Sequence, residues 1–326
     1  MKRLLLEDLE KFTIDLVSDF SPKNKDEIIL KVSHCGLCKT DAKMWKKGHR
    51  DLVLPRVLGH EICGYFENDR HNRFVVWPGK SCGNCKYCLD HKENLCVKME
   101  IFGFHRHGGL SEYIPVLKKN IIPIPNNLPG SMATLAEPLA CGLNAIELAK
   151  IDARDNVLVY GGGTLGILMA LGIIAKSAIP TIVEPNFKKL KKSESFRKYF
   201  KVKSTALESE LKATSYDCVI NATSCVEVFN SGIPKLKSNG SYCLFSGFTK
   251  KASFSSKLIN EIHYKQLHLL GAYGCTRKQM KKGIEILNQY KDQLDFLIEK
   301  IISIEDVPAN IEDVLSGNLF KLVVKV

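Results

Sequence analysis

The 326-residue sequence has no uncharged apolar run of the roughly 18 residues that a membrane-spanning helix needs. Its most apolar stretch, residues 167–183, is broken by Lys176 and Pro180. The opening MKRLLLEDLEKF meets acid at Glu7 and Asp8 and lacks the continuous apolar core of a secretory leader. There is no internal repeat and no low-complexity linker. Apolar residues at 45% and charged residues at 25% exclude a disordered or collagen-like chain. Acid is the scarcer charge, with 35 Asp and Glu against 47 Lys and Arg, a net +12. That surplus favours anionic partners in general, whether a phosphorylated cofactor, an acidic substrate, nucleic acid or an anionic surface. The expectation is a soluble, cytoplasmic protein with no membrane partner.

At this length about two domains are expected, and the texture of the sequence changes once. Up to about residue 130 the apolar runs are short and separated by Gly, Pro and Asn (EIILKVSHCG, HEICGYF, RFVVWPG, LSEYIPV, NIIPIP), which predicts many short strands in a β-barrel or compact β-domain. A helix-compatible stretch over 133–150 then leads to NVLVY, GGGTLG, ILMALGIIAK and TIVEP. This is the strand, glycine turn, helix, strand order of a βαβ unit. DCVINAT and SYCLFSGF read as later strands of the same sheet. Beyond GAYG at 271–274, Met280, Ile284 and Leu287 line one helix face, and FKLVVKV closes the chain as a strand.

Gly161-Gly162-Gly163-Thr164-Leu165-Gly166 fits G-x-G-x-x-G. Gly161 allows the tight turn, Gly163 lets the backbone approach a pyrophosphate, and Gly166 lets helix and strand pack closely. The helix that follows, through Thr164 and Leu165, points free N–H groups at the phosphates. Glu184 ends the next strand, where an acid suits the ribose hydroxyls of NAD and repels the extra phosphate of NADP. Eight Lys or Arg residues over 188–203, against the single acid Glu194, read as the solvated face of a helix. A phosphate grip or an anionic partner surface is the sharper alternative.

Twelve cysteines would suit a disulfide scaffold only in a short secreted chain, which this sequence is not expected to be. Four of them, Cys82, Cys85, Cys88 and Cys96, crowd into one segment and offer four thiolates to one tetrahedral ion. An all-thiolate zinc site is closed, hence structural. The iron–sulfur alternative continues with a cysteine after three residues and a proline, whereas here the fourth comes after seven and Val97 follows. A nucleic-acid zinc module is a further alternative, but the segment lacks the histidine pair of two-cysteine, two-histidine fingers and adjoins no aromatic-rich basic patch. Cys63, Cys218, Cys225 and Cys243 sit among apolar residues and read as small buried side chains. Upstream, Cys35-Gly36-Leu37-Cys38-Lys39-Thr40-Asp41 and Gly59-His60-Glu61 supply thiolate, imidazole and carboxylate, the mixed set an open zinc site uses.

CGLCKTD, GHE, the four-cysteine lobe, HGGLSEY, AEPLACG, GGGTLG and FKLVVKV together resemble the zinc-dependent medium-chain alcohol dehydrogenases over essentially the whole chain. The ligand pattern is most similar to the sorbitol and polyol branch. The resemblance implies a GroES-like β-barrel catalytic domain (1–142, with the zinc lobe at 82–96), a Rossmann doubly wound parallel sheet (143–273), and a C-terminal segment (274–326) that returns to the first domain, with the active site between the two. It implies two zinc ions per chain, NAD as cofactor, and a homodimer or homotetramer. Cys38, His60 and Glu61 would bind the catalytic zinc, and Cys35 would not. Asp41 would orient His60. Thr40 would hydrogen-bond the substrate oxygen and pass its proton outward, and Lys321 would reach the pyrophosphate. Three departures stand out. Glu137 matches the polyol branch's extra carboxylate, yet Cys141 falls where simple alcohol dehydrogenases place their third ligand. Lys43 replaces the histidine that ends the proton relay of many relatives. The connection between Gly64 and Val75 is short.

The activity implied is interconversion of a secondary alcohol and a ketone, with zinc as Lewis acid and hydride passing to NAD. The alternative is an inactive relative that binds nucleic acid or another anion; the intact Cys38, His60, Glu61 and Glu137 set argues against it. The substrate is left open between polyols, sugar phosphates, amino-polyols, cyclitols and 3-hydroxy amino acids. Lys43, Trp45, Lys46 and Lys47 read as an exposed basic helix end or as contacts for a phosphorylated substrate.

Overall fold

The computed structural model describes residues 1–18, 21–22, 25–248 and 250–326. The chain divides into two compact units, Met1–Ala140 with Cys275–Val326, and Cys141–Gly274. The first is built from the short apolar runs. Its spine is the eleven-residue strand Glu27–Leu37, in which Leu30 and Val32 alternate inward until a register shift between Val32 and His34. Along one side the first half pairs with Tyr113–Leu117 and the second with the closing strand Lys321–Lys325, Val324 opposite Cys35. Along the other runs Glu61–Phe66, itself paired with Asp69–Val76. Only residues 67–68 join those two strands, which is the short connection noted above. Leu30, Val32, Met44, Leu58, Phe102, Ile114 and Leu322 share one apolar core.

The second unit is a six-stranded parallel sheet. Asn156–Tyr160 and Ile179–Val183 lie side by side, with Lys203–Thr205 outside them. On the other side of Asn156–Tyr160 follow Tyr216–Asn221, Leu236–Leu244 and His268–Gly271. In order of appearance this is 3-2-1-4-5-6, the doubly wound dinucleotide order. Val157, Leu158 and Val159 are fully buried, as strands covered on both faces require. The helix Thr164–Ala175 is buried without a break from Gly166 to Ile173, so it lacks a polar face.

The helical stretch over 133–150 becomes Gly130–Ala133 and Ala136–Leu148, and the helix after GAYG spans Arg277–Tyr290 with Met280, Ile284 and Leu287 buried. Two expectations are corrected. The basic run does not form one helix: Ser193 ends Phe187–Lys192 and heads Glu194–Tyr199, its hydroxyl donating back to the Lys189 carbonyl. Cys63, Cys218 and Cys243 are buried, but Cys225 is exposed, donating from sulfur to Glu227 Oε2 at 2.8 Å in the loop after Asn221.

Candidate active site

Antiparallel pairing brings three strand ends to one edge of the large sheet. Leu37 closes the long strand, Glu61 opens its neighbour opposite Gly36, and Lys321 opens the closing strand, whose Leu322 faces Leu37. Cys38 then caps the helix Lys39–Lys47. Its sulfur accepts from the Thr40 N–H at 3.5 Å, while its own N–H donates to Asp41 Oδ2 at 2.9 Å. Asp41, fully buried, also accepts the Gly59 N–H at 3.2 Å and stands 3.3 Å from His60 Nδ1. With Nδ1 turned to Asp41, the opposite ring nitrogen is left for a ligand. One donor atom each from Cys38, His60 and Glu61 lies within 4.8 Å of the others.

Electrostatics follow from this burial. Desolvation pushes the Asp41 carboxyl up, but His60 and the N–H groups of Cys38 and Gly59 outweigh it and hold the pKa below the usual carboxylate range. Desolvation pushes His60 down, and Asp41, Cys38 and Glu137 outweigh it, leaving the imidazole well above its ordinary value. His60 Nδ1 is buried yet not aligned for a hydrogen bond, so Asp41 holds the ring by charge more than by a bond. A thiolate, an imidazole and a carboxylate at this spacing fit a zinc ion by number and by chemistry. Cys35, fully buried with its thiol pushed far up by desolvation, is left out of the set.

Lys321 is placed where the resemblance did not put it. Its ammonium is buried and sits 2.8 and 2.7 Å from the two oxygens of Glu61. The strand register decides this, because Lys321 and Glu61 flank the end of the long strand from opposite sides. Desolvation pulls the lysine pKa down, and Glu61 and Cys38 more than restore it. Gly36 is part of the same arrangement: a Cβ there would lie 2.1 Å from Glu61 Oε2. Thr40 and Lys43 are half-buried on the helix, Lys46 pairs with Glu10, and Lys47 is exposed. Trp45 points into the core and stacks on Phe12, which removes it from the candidate substrate contacts.

Glu137 sits half-buried in the first turn of Ala136–Leu148, with Cys141 four residues on along the same helix. A carboxylate oxygen of Glu137 and the sulfur of Cys275 lie within 4.8 Å. The sequence carried no signal for Cys275, a single cysteine far from any motif.

The four-cysteine lobe fits a second zinc. Cys85 and Cys88 sulfurs are 3.5 Å apart and Cys82 and Cys88 sulfurs 3.9 Å, on either side of the roughly 3.8 Å edge that 2.3 Å zinc–sulfur bonds give a tetrahedron. The backbone N–H of Cys88 draws the Cys85 thiol down to about 6, and that of Asn84 lowers Cys82; burial pushes Cys88 up to about 11. Cys96 accepts the N–H groups of Cys82 and Lys98 at 3.2 and 3.4 Å.

In the parallel-sheet unit, Gly161 has φ of 103°, and the Gly161 carbonyl would lie 1.7 Å from a Cβ on Gly166, so both positions exclude a side chain. The buried Thr164 hydroxyl at the helix start has no hydrogen-bond partner among the described residues, which fits a phosphate oxygen. Both oxygens of Glu184 accept backbone N–H groups, from Gly162 and Asn186 at 2.9 Å each, so the acid is held at the turn. Lone pairs remain on it for ribose hydroxyls. Gly163 has Lys189 Nζ 3.7 Å from the place of a Cβ.

The alcohol dehydrogenase GroES-like domain matches residues 24–126. The chain is similar to a D-altritol 5-dehydrogenase of Agrobacterium fabrum, 30% identical over 80% of each chain. By structure it is similar to galactitol-1-phosphate dehydrogenase of Escherichia coli, with a TM-score of 0.89 at 22% identity and all of both chains covered. It is also similar to an alcohol dehydrogenase of Escherichia coli complexed with NADH, with a TM-score of 0.86 at 22% identity over 100% and 99% of the chains. The donor set, the glycine turn and the altritol dehydrogenase likeness over four-fifths of the chain converge: this chain belongs to the zinc-type medium-chain dehydrogenases, in their polyol dehydrogenase-like group.

Proposed function

We propose that this chain is a zinc-dependent oxidoreductase that interconverts a secondary alcohol of the polyol or sugar-alcohol class and the corresponding ketone, with NAD(H) as hydride carrier. The observation that carries the reading is the Cys38, His60 and Glu61 donor set with Asp41 behind His60. The relatives named for altritol and galactitol 1-phosphate point to polyhydroxylated substrates.

Cys38, His60 and Glu61, with Glu137 as the further carboxylate, would hold the catalytic zinc, and Cys82, Cys85, Cys88 and Cys96 the structural one. Zinc bound at the open site supplies Lewis acidity, which lowers the pKa of an alcohol hydroxyl. Cys38 and His60 anchor it, and Asp41 fixes the imidazole. The Thr40 hydroxyl accepts the hydrogen bond of the substrate hydroxyl and donates its own outward, to solvent or to Lys43. Lys43 is one helical turn from Thr40 and has no hydrogen-bond or ion-pair partner among the described residues. Gly161, Gly163, Gly166 and the Thr164 and Leu165 N–H groups would cradle the dinucleotide phosphates, and Glu184 would select the unphosphorylated ribose. The chain would work in the cytoplasm as a homodimer or homotetramer; among the described residues no helix is long and apolar enough to cross a membrane.

The test is zinc per chain on protein purified without added metal, followed by a panel of polyols and polyol phosphates with NAD and NADP. The expected result is two zinc ions and NAD reduction with a polyol. Cys38→Ala should abolish turnover and leave dinucleotide binding intact. One zinc per chain, or turnover in the Cys38 variant, would overturn the reading.

A further inference from the structure

We propose that His49 is a substrate-binding residue of the open site, its Nε2–H donating to a polyol hydroxyl remote from the reacting carbon. The inference rests on the polyol reading above and names the residue that tells a polyol from a short alcohol.

Placement is the first observation. The helix Lys39–Lys47, which Cys38 caps at its start, stops at Gly48, whose φ of 74° turns the chain. His49 follows that turn and meets Phe104 edge-on, ring centroids 5.4 Å apart at 83°. Phe104 is buried and meets His60 in turn, ring centroids 5.5 Å apart. A polyol held through one hydroxyl at the His60 end therefore has His49 two ring contacts away. The phenyl between them offers a surface to its carbon chain. The wall is fixed, because the Phe104 and His105 N–H groups both donate to the Ile101 carbonyl, at 3.2 and 3.0 Å.

The tautomer is the second. His49 Nδ1 accepts the Asp51 N–H at 3.2 Å, so Nδ1 is without a proton and Nε2 carries it. The Nε2–H has no hydrogen-bond partner among the described residues, and the side chain is 31% exposed. The His49 carbonyl accepts the Leu52 N–H at 3.0 Å, which holds the backbone as well. Charge is the third observation. Burial pulls the imidazole below its ordinary value; Asp51 opposes this, and Arg50 and His105 add to it. At neutral pH His49 is thus an uncharged donor, which suits a hydroxyl, whereas a phosphate is better met by a cation.

The experiment compares kcat/KM for a hexitol and for butan-2-ol, a secondary alcohol without further hydroxyls, on the full zinc-loaded chain. His49→Phe keeps a ring against Phe104 and removes the donor. The hexitol to butan-2-ol ratio should fall about tenfold, mainly through KM for the hexitol. His49→Gln keeps an N–H donor and should restore most of the ratio. An unchanged ratio in His49→Phe, or an equal loss on both alcohols, overturns the assignment while the dehydrogenase reading stands. A wild-type chain that oxidises no alcohol overturns that reading and the role of His49 with it. Nitrogen-15 NMR of the histidine-labelled wild-type chain needs neither turnover nor a substitution. His49 should show the Nε2–H tautomer, and the hexitol should shift its Nε2 resonance. The Nδ1–H tautomer, or a resonance that the hexitol leaves in place, overturns the proposal.

Discussion

Asp41 is the residue on which the open site turns. It is a capping side chain for the helix Lys39–Lys47 and at the same time the group that faces His60, so one carboxylate sets both the helix start and the imidazole. Asp41→Asn keeps the size and one acceptor oxygen for the Cys38 N–H but removes the charge and the second acceptor, which the Gly59 N–H uses. Metal affinity should fall about 10- to 100-fold, measured by competition with a chelator, with the far-ultraviolet spectrum unchanged. Unaltered affinity would show that the backbone alone holds His60. The Lys321–Glu61 pair makes a second prediction at this scale. Lys321→Met leaves a fully buried carboxylate without its partner and should cost about 3–5 kcal/mol by urea unfolding, with Lys321→Arg recovering most of it. A loss under about 1 kcal/mol would show that water or a shifted side chain takes over. Cys38, His60 and Glu61 were legible because each stands in a short local motif. The partner of Glu61 was not, since 260 residues separate it from Lys321 and only strand register joins them.

At the scale of elements, the four-cysteine lobe has little apolar support. Leu89 and Val97 are 67% and 70% exposed, and its regular structure is a four-residue helix and a single 3-10 turn. Glu93 ties it to Arg277 at 2.9 Å, and the rest of its order is expected to come from the metal, as in small zinc modules. Cys85→Ser, or removal of zinc by a chelator, should therefore open the lobe. Trypsin cleavage at Lys86, Lys92 or Lys98 should then run at least about tenfold faster, equivalent to some 1.4 kcal/mol of local stability. Equal cleavage rates would mean that the lobe holds itself. The glycine turn is the opposite case. Its strand and helix are buried on all sides, so its local pattern and its tertiary setting agree, and it could be read directly from the sequence. The basic run was read as one helix because its charge pattern carries no stop signal. The Ser193 hydroxyl, bonded back to the preceding turn, makes the break.

For the whole molecule, the two free edges of the parallel sheet differ. Lys203–Thr205 is three residues long, begins with the exposed Lys203 and follows the exposed Lys201, a charged edge that resists pairing. His268–Gly271 presents Leu269 at 45% exposure on an uncharged edge. If the chain assembles, as we propose, this is the edge that carries the contact. Leu269→Glu should shift the species seen by size-exclusion chromatography with light scattering toward the monomer. A wild-type chain that is monomeric at working concentration would remove the proposal.

Local spacing determined the strand, glycine turn and helix, the four-cysteine lobe and the thiolate, imidazole and carboxylate of the open site, because each depends on residues a few positions apart. Tertiary structure alone decided what surrounds them. Strand register put Lys321 on Glu61, core packing took Trp45 out of the substrate contacts, and the approach of residue 275 to residue 137 set a thiol beside a carboxylate. None of these has a period or a motif, since the energy that fixes them is burial and pairing between distant segments.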